Sequence, residues 1–310
     1  MRLRRSRKVN DTQILLIDGL NMCYRMVHTH ATLKHGELGT GVIYGFIKNM
    51  YDLVGKYEPE QVIVVWEGKD SRLRRKTMYP DYKAKRKSDL PIPKEDFYKQ
   101  IDNLKELLYY LGMNNVDVPK FEADDVIAVL SRHFAQERKK VLIVSTDGDM
   151  LQLINMWVEV YSPTKELLYN EGNFHNLVGM ALSDFVDFKC LVGDSSDNIP
   201  GVRGIGEKGA RSIIDFLGLR LFMEQDESSV KEKSLKRLFT PEGKAELKLA
   251  QDLIDLSSVP LSVETVRDNM SNGTFDADEA KDLLMDYNMW SILDNWNDYE
   301  TVFGKAEVCP

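Results

Sequence analysis

The chain has 310 residues, of which 43% are hydrophobic and 29% are charged. This length corresponds to about two average domains, and the apolar content excludes disorder as the overall state. No apolar run approaches the roughly 18 residues that a membrane span needs, so the sequence predicts no membrane association. The three cysteines, Cys23, Cys190 and Cys309, are far apart, which argues against a disulfide scaffold or a CxxC zinc site and indicates a reducing cytoplasm.

Charge is distributed unevenly along the chain. The net charge is −8, but residues 2–8 contribute +5 and residues 69–87 contribute +7, which leaves −20 for the remainder. Basic segments on an acidic body suit a phosphate backbone, while a local group of carboxylates suits metal ions. A solvated charge run is the ordinary alternative, and we interpret the Arg-rich N-terminal tail as disordered chain rather than as a phosphate-binding arm.

The first half of the chain alternates between short apolar runs and helical stretches. The runs that predict buried strands are residues 14–17, 62–66 and 141–145. The stretches with helical spacing are residues 41–57 and 97–111. This alternation predicts an α/β fold with a mostly parallel central sheet. The runs lead into Asp18, Glu67 and Asp147, and ligands of such sheets bind at the carboxyl ends of the strands.

From residue 183 onward the pattern becomes helical. The predicted helices cover residues 183–192, 210–219, 245–256 and 276–296. The last of them has an apolar stripe that we expect to be buried, formed by Leu283, Leu284, Tyr287, Met289 and Trp290. The predicted organisation is a basic tail (1–10), an α/β core (11–182), a helical region (183–300) and a second tail (301–310).

Carboxylates dominate the candidate functional residues. Acids at helix starts are ordinary and stabilise a helix by at most about 1 kcal/mol each, so any single segment has a structural explanation. The whole set is harder to explain, because two like charges about 4 Å apart cost roughly 4 kcal/mol at an effective dielectric constant of 20. Ligands that are all oxygen suit Mg²⁺ or Mn²⁺. The nine acids are Asp18, Glu67, Glu122, Asp124, Asp125, Asp147, Asp149, Asp194 and Asp197.

Five short motifs occur in a fixed order along the chain. They are IDGLN (17–21) with Arg25, YKAKR (82–86), EADD (122–125), STDGD (145–149) and GDSSDNIPG (193–201). On these motifs the sequence resembles the 5′-nuclease (flap endonuclease) family, especially its bacteriophage members and the 5′-nuclease domain of bacterial DNA polymerase I. The resemblance runs through most of residues 14–260. It implies a PIN-like sheet flanked by helices, a helical arch, and a C-terminal helical region with a helix–three-turn–helix.

The resemblance implies two Mg²⁺ ions, with Mn²⁺ as a substitute. The residues that match one metal site are Asp18, Glu67, Glu122 and Asp124. The residues that match a second, looser site are Asp125, Asp147, Asp149, Asp194 and Asp197. Glu67 departs from the family, which usually carries Asp there, although the longer side chain can still reach a metal ion directly or through water.

The basic segment matches the arch of that family, which we place at residues 69–98. The resemblance gives Lys83, Arg86 and Arg25 roles as catalytic cations at the scissile phosphate. Tyr82 would stack on an unpaired base. The other basic residues of this segment that we expect to bind nucleic acid are Arg74, Arg75 and Lys85.

Residues 199–210 resemble the helix–three-turn–helix of the family. Its glycines allow a phosphate to approach the backbone, and the helix that follows presents free N–H groups. The residues expected to bind DNA there are Arg203, Gly204, Gly206, Lys208 and Arg211. A K⁺ ion on the loop carbonyls is a further expectation.

The function implied is a structure-selective 5′-3′ exonuclease and flap endonuclease that releases 5′-phosphate products in DNA replication and repair, RNA primer removal included. Expected partners are branched or 5′-flap DNA, RNA–DNA hybrid, and a single-strand-binding protein or polymerase. We expect a monomer in the cytoplasm of a bacterial or phage-infected cell.

One alternative is a PIN-type metal-dependent ribonuclease, against which the arch and the helix–three-turn–helix argue. The other is a catalytically dead branched-DNA binding module, against which the full set of acids argues.

Overall fold

The computed structural model describes residues 12–35, 38–86 and 89–305. The predictions made for the Arg-rich N-terminal tail and for Cys309 therefore lie outside the described residues. Within these ranges, no helix is both long enough and apolar enough to span a membrane.

A mixed seven-stranded sheet lies at the centre of the part of the chain that is described. The strands are β1 (Ile14–Asp18), β2 (Lys34–His35), β3 (Leu38–Gly39), β4 (Gln61–Trp66), β5 (Asn114–Asp117), β6 (Val141–Val144), β7 (Val158–Ser162), β8 (Leu167–Tyr169), β9 (Gly193–Asp194), β10 (Ile199–Pro200) and β11 (Met270–Ser271). The sheet order is β11-β5-β4-β1-β6-β7-β8, and the remaining strands form two small hairpins. The five inner strands are parallel, and only the edge strands β8 and β11 pair antiparallel. The predicted mostly parallel sheet is confirmed.

Helices cover both faces of the sheet and form the region that follows it. They are α1 (Gly19–Thr29), α2 (Gly41–Tyr57), α3 (Leu73–Met78), α4 (Lys94–Tyr110), α5 (Ala123–Gln136), α6 (Phe174–Val178), α7 (Phe185–Val192), α8 (Glu207–Ile214), α9 (Gly218–Met223), α10 (Pro241–Ile254), α11 (Val263–Asp268), α12 (Ala277–Asp286), α13 (Trp290–Leu293) and α14 (Trp296–Phe303). The single helix predicted at 276–296 is instead divided between α12, α13 and the start of α14. Trp290 is 53% exposed, so the predicted buried stripe is wrong at that residue, whereas Leu284 and Met289 are buried.

The strand residues alternate between two apolar cores. Leu15 and Ile17 of β1 face the core that contains α1, α2 and α4. Ile14 and Leu16 face the core that contains α5. A parallel sheet covered on both faces needs strands that are apolar throughout, which is why the sequence shows continuous runs rather than alternation.

The structure corrects the predicted extent of the helical region. A separate apolar core joins α7, α8, α9 and α10, from Cys190 to Ile254, and also contains Tyr82. Beyond it the chain returns to the sheet, because β11 pairs with β5. Helices α12 to α14 pack in the same core as α2 and α4. The predicted boundaries of 183–300 therefore merge two different packing units.

Gly68 allows the segments that follow β4 and β5 to lie in close contact. Its N–H donates to Phe121 O at 3.2 Å, and a Cβ atom there would lie 1.8 Å from Val118 O. We expect Gly68→Ala to lower the free energy of unfolding by about 3 kcal/mol or more, because backbone must shift. Denaturant unfolding tests this. Gly206→Ala is the matched control, since nothing lies within 4 Å of a Cβ atom at Gly206, and an equal loss in both variants would contradict the steric explanation.

Candidate active site

Neighbouring strands bring acids together at the carboxyl edge of the sheet. Asp18 ends β1, Glu67 follows β4, and Asp147 comes three residues after β6. These strands are adjacent in the order β4-β1-β6. Asp18 accepts hydrogen bonds from Asn21 N at 3.2 Å and from Ser145 Oγ at 2.9 Å, so its carboxylate is held in a fixed orientation.

A cavity of about 210 Å³ lies at this edge. Its acidic lining consists of Asp18, Glu67, Asp124 and Asp147. Lys83 and Arg86 contribute positive charge to the same lining. Four carboxylates from four separate segments of the chain therefore share one small polar cavity, and Asp147 lies with the first predicted metal site rather than with the second.

Two of these acids are shifted strongly toward the protonated form. Burial raises the pKa of Asp18 to about 7, and the charges of Asp147 and Asp124 add to the effect, while the hydrogen bonds from Ser145 and Asn21 oppose it. Burial also raises the pKa of Glu67 to about 7, together with the charges of Glu122 and Asp124. Burial is the main cause of both shifts, and the neighbouring carboxylates add to it.

The start of α5 is organised by a buried arginine. Glu122 and Asp125 form a capping box, each side chain accepting from the backbone of the other. Arg75 is 2% exposed and donates to Glu122 Oε2 at 2.7 Å, to Asp125 Oδ1 at 2.8 Å and to Leu253 O at 3.1 Å. Asp125 is completely buried in these contacts. The structure thus corrects two predictions: Asp125 faces Arg75 rather than the cavity, and Arg75 is not exposed to nucleic acid.

The predicted arch segment is only partly helical. It contains α3 and the first residues of α4, with turns between them. Residues 79–86 lie over the acids, because Lys83 N donates to Asp197 O at 2.8 Å and Asn198 Nδ2 donates to Asp81 O at 2.8 Å. Lys83 holds a left-handed backbone conformation with φ of 55°.

Tyr82 and Lys83 point down toward the acids in this arrangement. Tyr82 is 1% exposed and donates to Glu122 Oε2 at 3.0 Å. The prediction that Tyr82 offers a face to an unpaired base is therefore wrong for this conformation. Lys83 Nζ donates to Glu122 Oε1 at 2.5 Å, and Arg86 pairs with Asp197 at 2.7 Å.

The remaining acids surround Lys189, a residue that the sequence analysis missed. Its ammonium donates to both Asp149 and Asp194. Burial opposes ionisation of Asp194, but hydrogen bonds from Lys189 and Ser196 outweigh it and lower its pKa to about 2. The only sequence signal for Lys189 was its place in the helix that leads to the GDSSDNIPG motif.

The other predicted cations lie in three different settings. Arg25 donates to Asn49 Oδ1 on α2 at 2.9 Å, and Arg74 donates to Asp125 Oδ1 at 3.0 Å. Arg211 donates to Gly179 O and lies over the ring of Phe188, so its guanidinium is largely engaged. The predicted DNA-binding residues that are exposed are Lys85, Arg203, Gly204, Gly206 and Lys208.

The residues of the cavity fit a divalent metal ion. Their donors are all carboxylate oxygens, and Glu67 Oε2 is buried without a hydrogen-bond partner. Among the described residues, no group of three or more acids, histidines or cysteines is arranged so that it could hold a metal ion. Arg75, Lys83 and Lys189 pair with the acids Glu122, Asp125, Asp149 and Asp194.

Comparisons with known proteins assign the chain to a family. A family model described as the N-terminal resolvase-like domain of 5′-3′ exonucleases matches residues 13–179. A second, described as their C-terminal SAM fold, matches residues 180–275. The chain therefore belongs to the 5′-3′ exonuclease family, and the resemblance on the five motifs is confirmed.

Individual relatives agree with this assignment. The chain is 30% identical over 295 residues to a 5′-3′ exonuclease of Aquifex aeolicus, covering 94% of this chain and 97% of that protein. It is 30% identical over 287 residues to a 5′-3′ exonuclease of Bacillus subtilis, covering 89% and 93%. It is 34% identical over 259 residues to the thermostable DNA polymerase I of Thermus aquaticus, covering 81% of this chain but only 29% of the polymerase.

Solved structures show the same fold. The D15 protein of phage T5, co-crystallised with metal ions, is 21% identical with a TM-score of 0.68, covering 88% of this chain and 98% of that chain. Human GEN1 in complex with Holliday junction DNA is 15% identical with a TM-score of 0.59, covering 94% of this chain and 72% of that chain.

We expect Asp18→Asn to stabilise the metal-free protein, and to do so more at pH 8 than at pH 5. The folded-state pKa of Asp18 is about 7, above its ordinary value of 3.8. Stability that is present at low pH is thus lost as pH rises through this range. One pKa unit corresponds to about 1.4 kcal/mol, so the effect at pH 8 is on the order of a few kcal/mol. Asparagine can keep the acceptor for Asn21 N at Oδ1, and its Nδ2 can donate to Ser145 Oγ in place of the bond that Asp18 Oδ2 accepts from that hydroxyl.

Thermal melts in EDTA at the two pH values measure this effect. Addition of Mg²⁺ at pH 8 should raise the melting temperature of the unaltered chain more than that of Asp18→Asn. The exposed Asp282→Asn is the control for removal of a surface charge. A variant that is destabilised, or stabilised equally at both pH values, would show that burial of the Asp18 charge is not the cause.

Proposed function

We propose that this chain is a structure-selective 5′ nuclease that hydrolyses phosphodiesters at 5′ flaps and frayed 5′ ends, depends on Mg²⁺, and leaves 5′-phosphate products. One observation carries the proposal: Asp18, Glu67, Asp124 and Asp147, from four separate segments, line one small cavity beside Lys83 and Arg86. Carboxylates supply metal ligands there, and the cations supply charge for a phosphate. Membership of the 5′-3′ exonuclease family supports the same activity.

Asp18, Glu67, Asp124 and Asp147 are the residues that we propose hold Mg²⁺ in the cavity. When bound, Mg²⁺ polarises a phosphoryl oxygen and stabilises the negative charge of a leaving oxygen. Ser145 and Asn21 keep Asp18 oriented. We extend the proposal to Mn²⁺ as a substitute and to K⁺ on the carbonyls of the 199–206 loop.

Lys83 and Arg86 are the proposed phosphate-binding cations. Both now pair with carboxylates, Lys83 with Glu122 and Arg86 with Asp197. Once those carboxylates have other cationic partners, both side chains become available to a phosphate group. The left-handed backbone of Lys83 is maintained by its contact with Asp197 O. Strain of this kind is typical of functional positions.

The exposed loop before α8 is the proposed contact with duplex DNA. Arg203 and Lys208 provide charge, and Gly204 and Gly206 leave open space beside the backbone. Such contacts position a duplex without reading its bases. This surface follows the acids of the 193–201 loop directly, so a bound duplex would lie beside the cavity.

A neighbouring cavity suits the single-stranded 5′ end. It has a volume of about 530 Å³ and shares Glu67 with the metal cavity. Arg72, Lys76 and Lys105 line it together with the half-exposed ring of Tyr98, and Asp70 and Asp102 belong to the same lining. Basic side chains and an aromatic face are the features that bind unpaired strands.

Bacterial relatives favour a bacterial cytoplasm as the location of this chain. We keep a single-strand-binding protein or polymerase as the proposed protein partner.

Cleavage of a labelled 5′-flap duplex tests the function. We expect cleavage near the junction in Mg²⁺ and none in EDTA. Asp124→Asn should slow single-turnover cleavage by about 100-fold or more, since even the loss of an outer-shell partner costs a metal site 10–100-fold. Asp282→Asn should cleave normally. Tight flap binding without any metal-dependent product would favour the binding module, and cleavage restricted to structured RNA would favour the PIN-type ribonuclease.

We also expect Lys83→Ala to slow hydrolysis far more than it weakens flap binding, because its charge matters most as negative charge develops in the transition state. Loss of one such group costs on the order of 10²-fold in rate. Lys85→Ala, on the same segment but exposed, is the matched control and should affect binding alone. Single-turnover rates and flap affinities measured in parallel separate the two, and equal losses in rate and affinity for Lys83→Ala would refute this role.

A further inference from the structure

Lys189 is the cation at the centre of the second group of acids. Its side chain is 17% exposed and donates to Asp149 Oδ1 and to Asp194 Oδ2, the latter at 2.8 Å. One ammonium therefore bridges two carboxylates that come from separate segments of the chain. A metal ion shared by the same two oxygens would need the same position.

Both oxygens of Asp194 already accept hydrogen bonds. Its Oδ1 accepts from Ser196 N at 2.8 Å, from Ser196 Oγ at 2.6 Å and from Asp197 N at 3.2 Å. Its Oδ2 accepts from Lys189. This carboxylate thus holds the turn of the 193–201 loop with one oxygen and Lys189 with the other, and a metal ion bound to Oδ2 would lie against the ammonium of Lys189.

The cavity described above differs in this respect. Its lining includes Asp18, Glu67, Asp124 and Asp147, but neither Asp149 nor Asp194. Glu67 Oε2 is buried there without a hydrogen-bond partner. The acids of the cavity thus border open space and include an oxygen without a partner, Glu67 Oε2. The group of Asp149 and Asp194 is occupied by the ammonium of Lys189.

Lys189 is anchored by packing. It lies in α7, where the next two residues, Cys190 and Leu191, are fully buried in the apolar core shared with α8 and α10. Tyr82, the neighbour of Lys83, is buried in the same core. A metal ion at the second group of acids would therefore have to displace the side chain of Lys189 and not its backbone.

We propose that Lys189 is a positioning residue that serves as the built-in cation of this second group: it orients and neutralises Asp149 and Asp194, so that the chain binds one divalent ion tightly in the cavity and a second ion only by displacing the lysine side chain. The inference rests on the proposed function for the use of a metal ion at this edge. This arrangement differs from one with two equivalent metal sites, because the protein itself supplies the cation at the second group of acids.

Metal binding without substrate tests this proposal. Mn²⁺ is titrated into the full chain and free Mn²⁺ is followed by electron paramagnetic resonance. We expect one tight site in the unaltered protein. Lys189→Met, which keeps the volume but removes the charge, should tighten the second site by about tenfold or more, the scale on which neighbouring groups alter metal affinity, with the first site unchanged. Lys189→Arg keeps the charge and should bind Mn²⁺ as the unaltered chain does.

Lys248→Met is the matched control, because Lys248 is an exposed lysine that also pairs with an aspartate, Asp252. It should leave both Mn²⁺ affinities unchanged. If Lys189→Met does not fold, Lys189→Gln is measured in the same way, with the same expectation. Two equally tight Mn²⁺ sites in the unaltered chain, or an unchanged or weaker second site in the uncharged variant, would overturn the proposal.

The Mn²⁺ titration and the flap assay test the two proposals independently. If Asp124→Asn loses the tight Mn²⁺ site but the unaltered chain does not cleave flaps, the proposed nuclease is contradicted. The titration of Lys189→Met still decides the role of the lysine in that case. Flap cleavage with two equally tight Mn²⁺ sites would support the nuclease and reject the built-in cation.

Discussion

Electrostatic repulsion among carboxylates is the constraint on which this structure depends. Parallel strands that lie side by side end at the same edge of the sheet, so Asp18, Glu67 and Asp147 meet although they are far apart in sequence. Two like charges about 4 Å apart cost roughly 4 kcal/mol at an effective dielectric constant of 20. The fold reduces this cost in two ways. Burial favours protonation of Asp18 and Glu67, and basic side chains pair with most of the other acids.

The pairing cations come from two kinds of structure. Arg75 and Lys189 belong to helices, and both are held by packed surroundings. Lys83 and Arg86 belong to a turn segment that contacts the 193–201 loop through hydrogen bonds and buries Tyr82 in the apolar core of the helical region. Lys83 and Arg86 line the cavity, whereas Arg75 and Lys189 do not. In the proposed function, the first two cations are the ones available to a phosphate.

The same contacts couple the two halves of the molecule. The loop that carries Asp194 and Asp197 begins in α7 and leads to α8, so it belongs to the core of the helical region. Its contact with Lys83 and Asp81 connects that region to the segment above the sheet. In the proposed function, binding of a duplex at the exposed glycines and basic residues before α8 would act on a loop whose Asp197 holds Arg86 and whose Asp194 holds Lys189. Recognition of structure and hydrolysis would then be linked through this loop.

The sequence alone determined three inner strands of the sheet, β1, β4 and β6, because continuous apolar runs that end in acids carry that information locally. Its five motifs determined the family. It also gave helix α2 its bounds, since amphipathic spacing is a property of one segment. Tertiary structure decided which acids face the cavity. Glu122, Asp124 and Asp125 belong to one motif, yet the capping box and Arg75 turn Asp125 away from the cavity. Tyr82, Arg75 and Lys189 are basic or aromatic residues whose burial depends on partners that lie 40 or more residues away in the sequence. No local pattern records such partners, because side-chain pairing between segments arises only when the sheet and the helical region pack together.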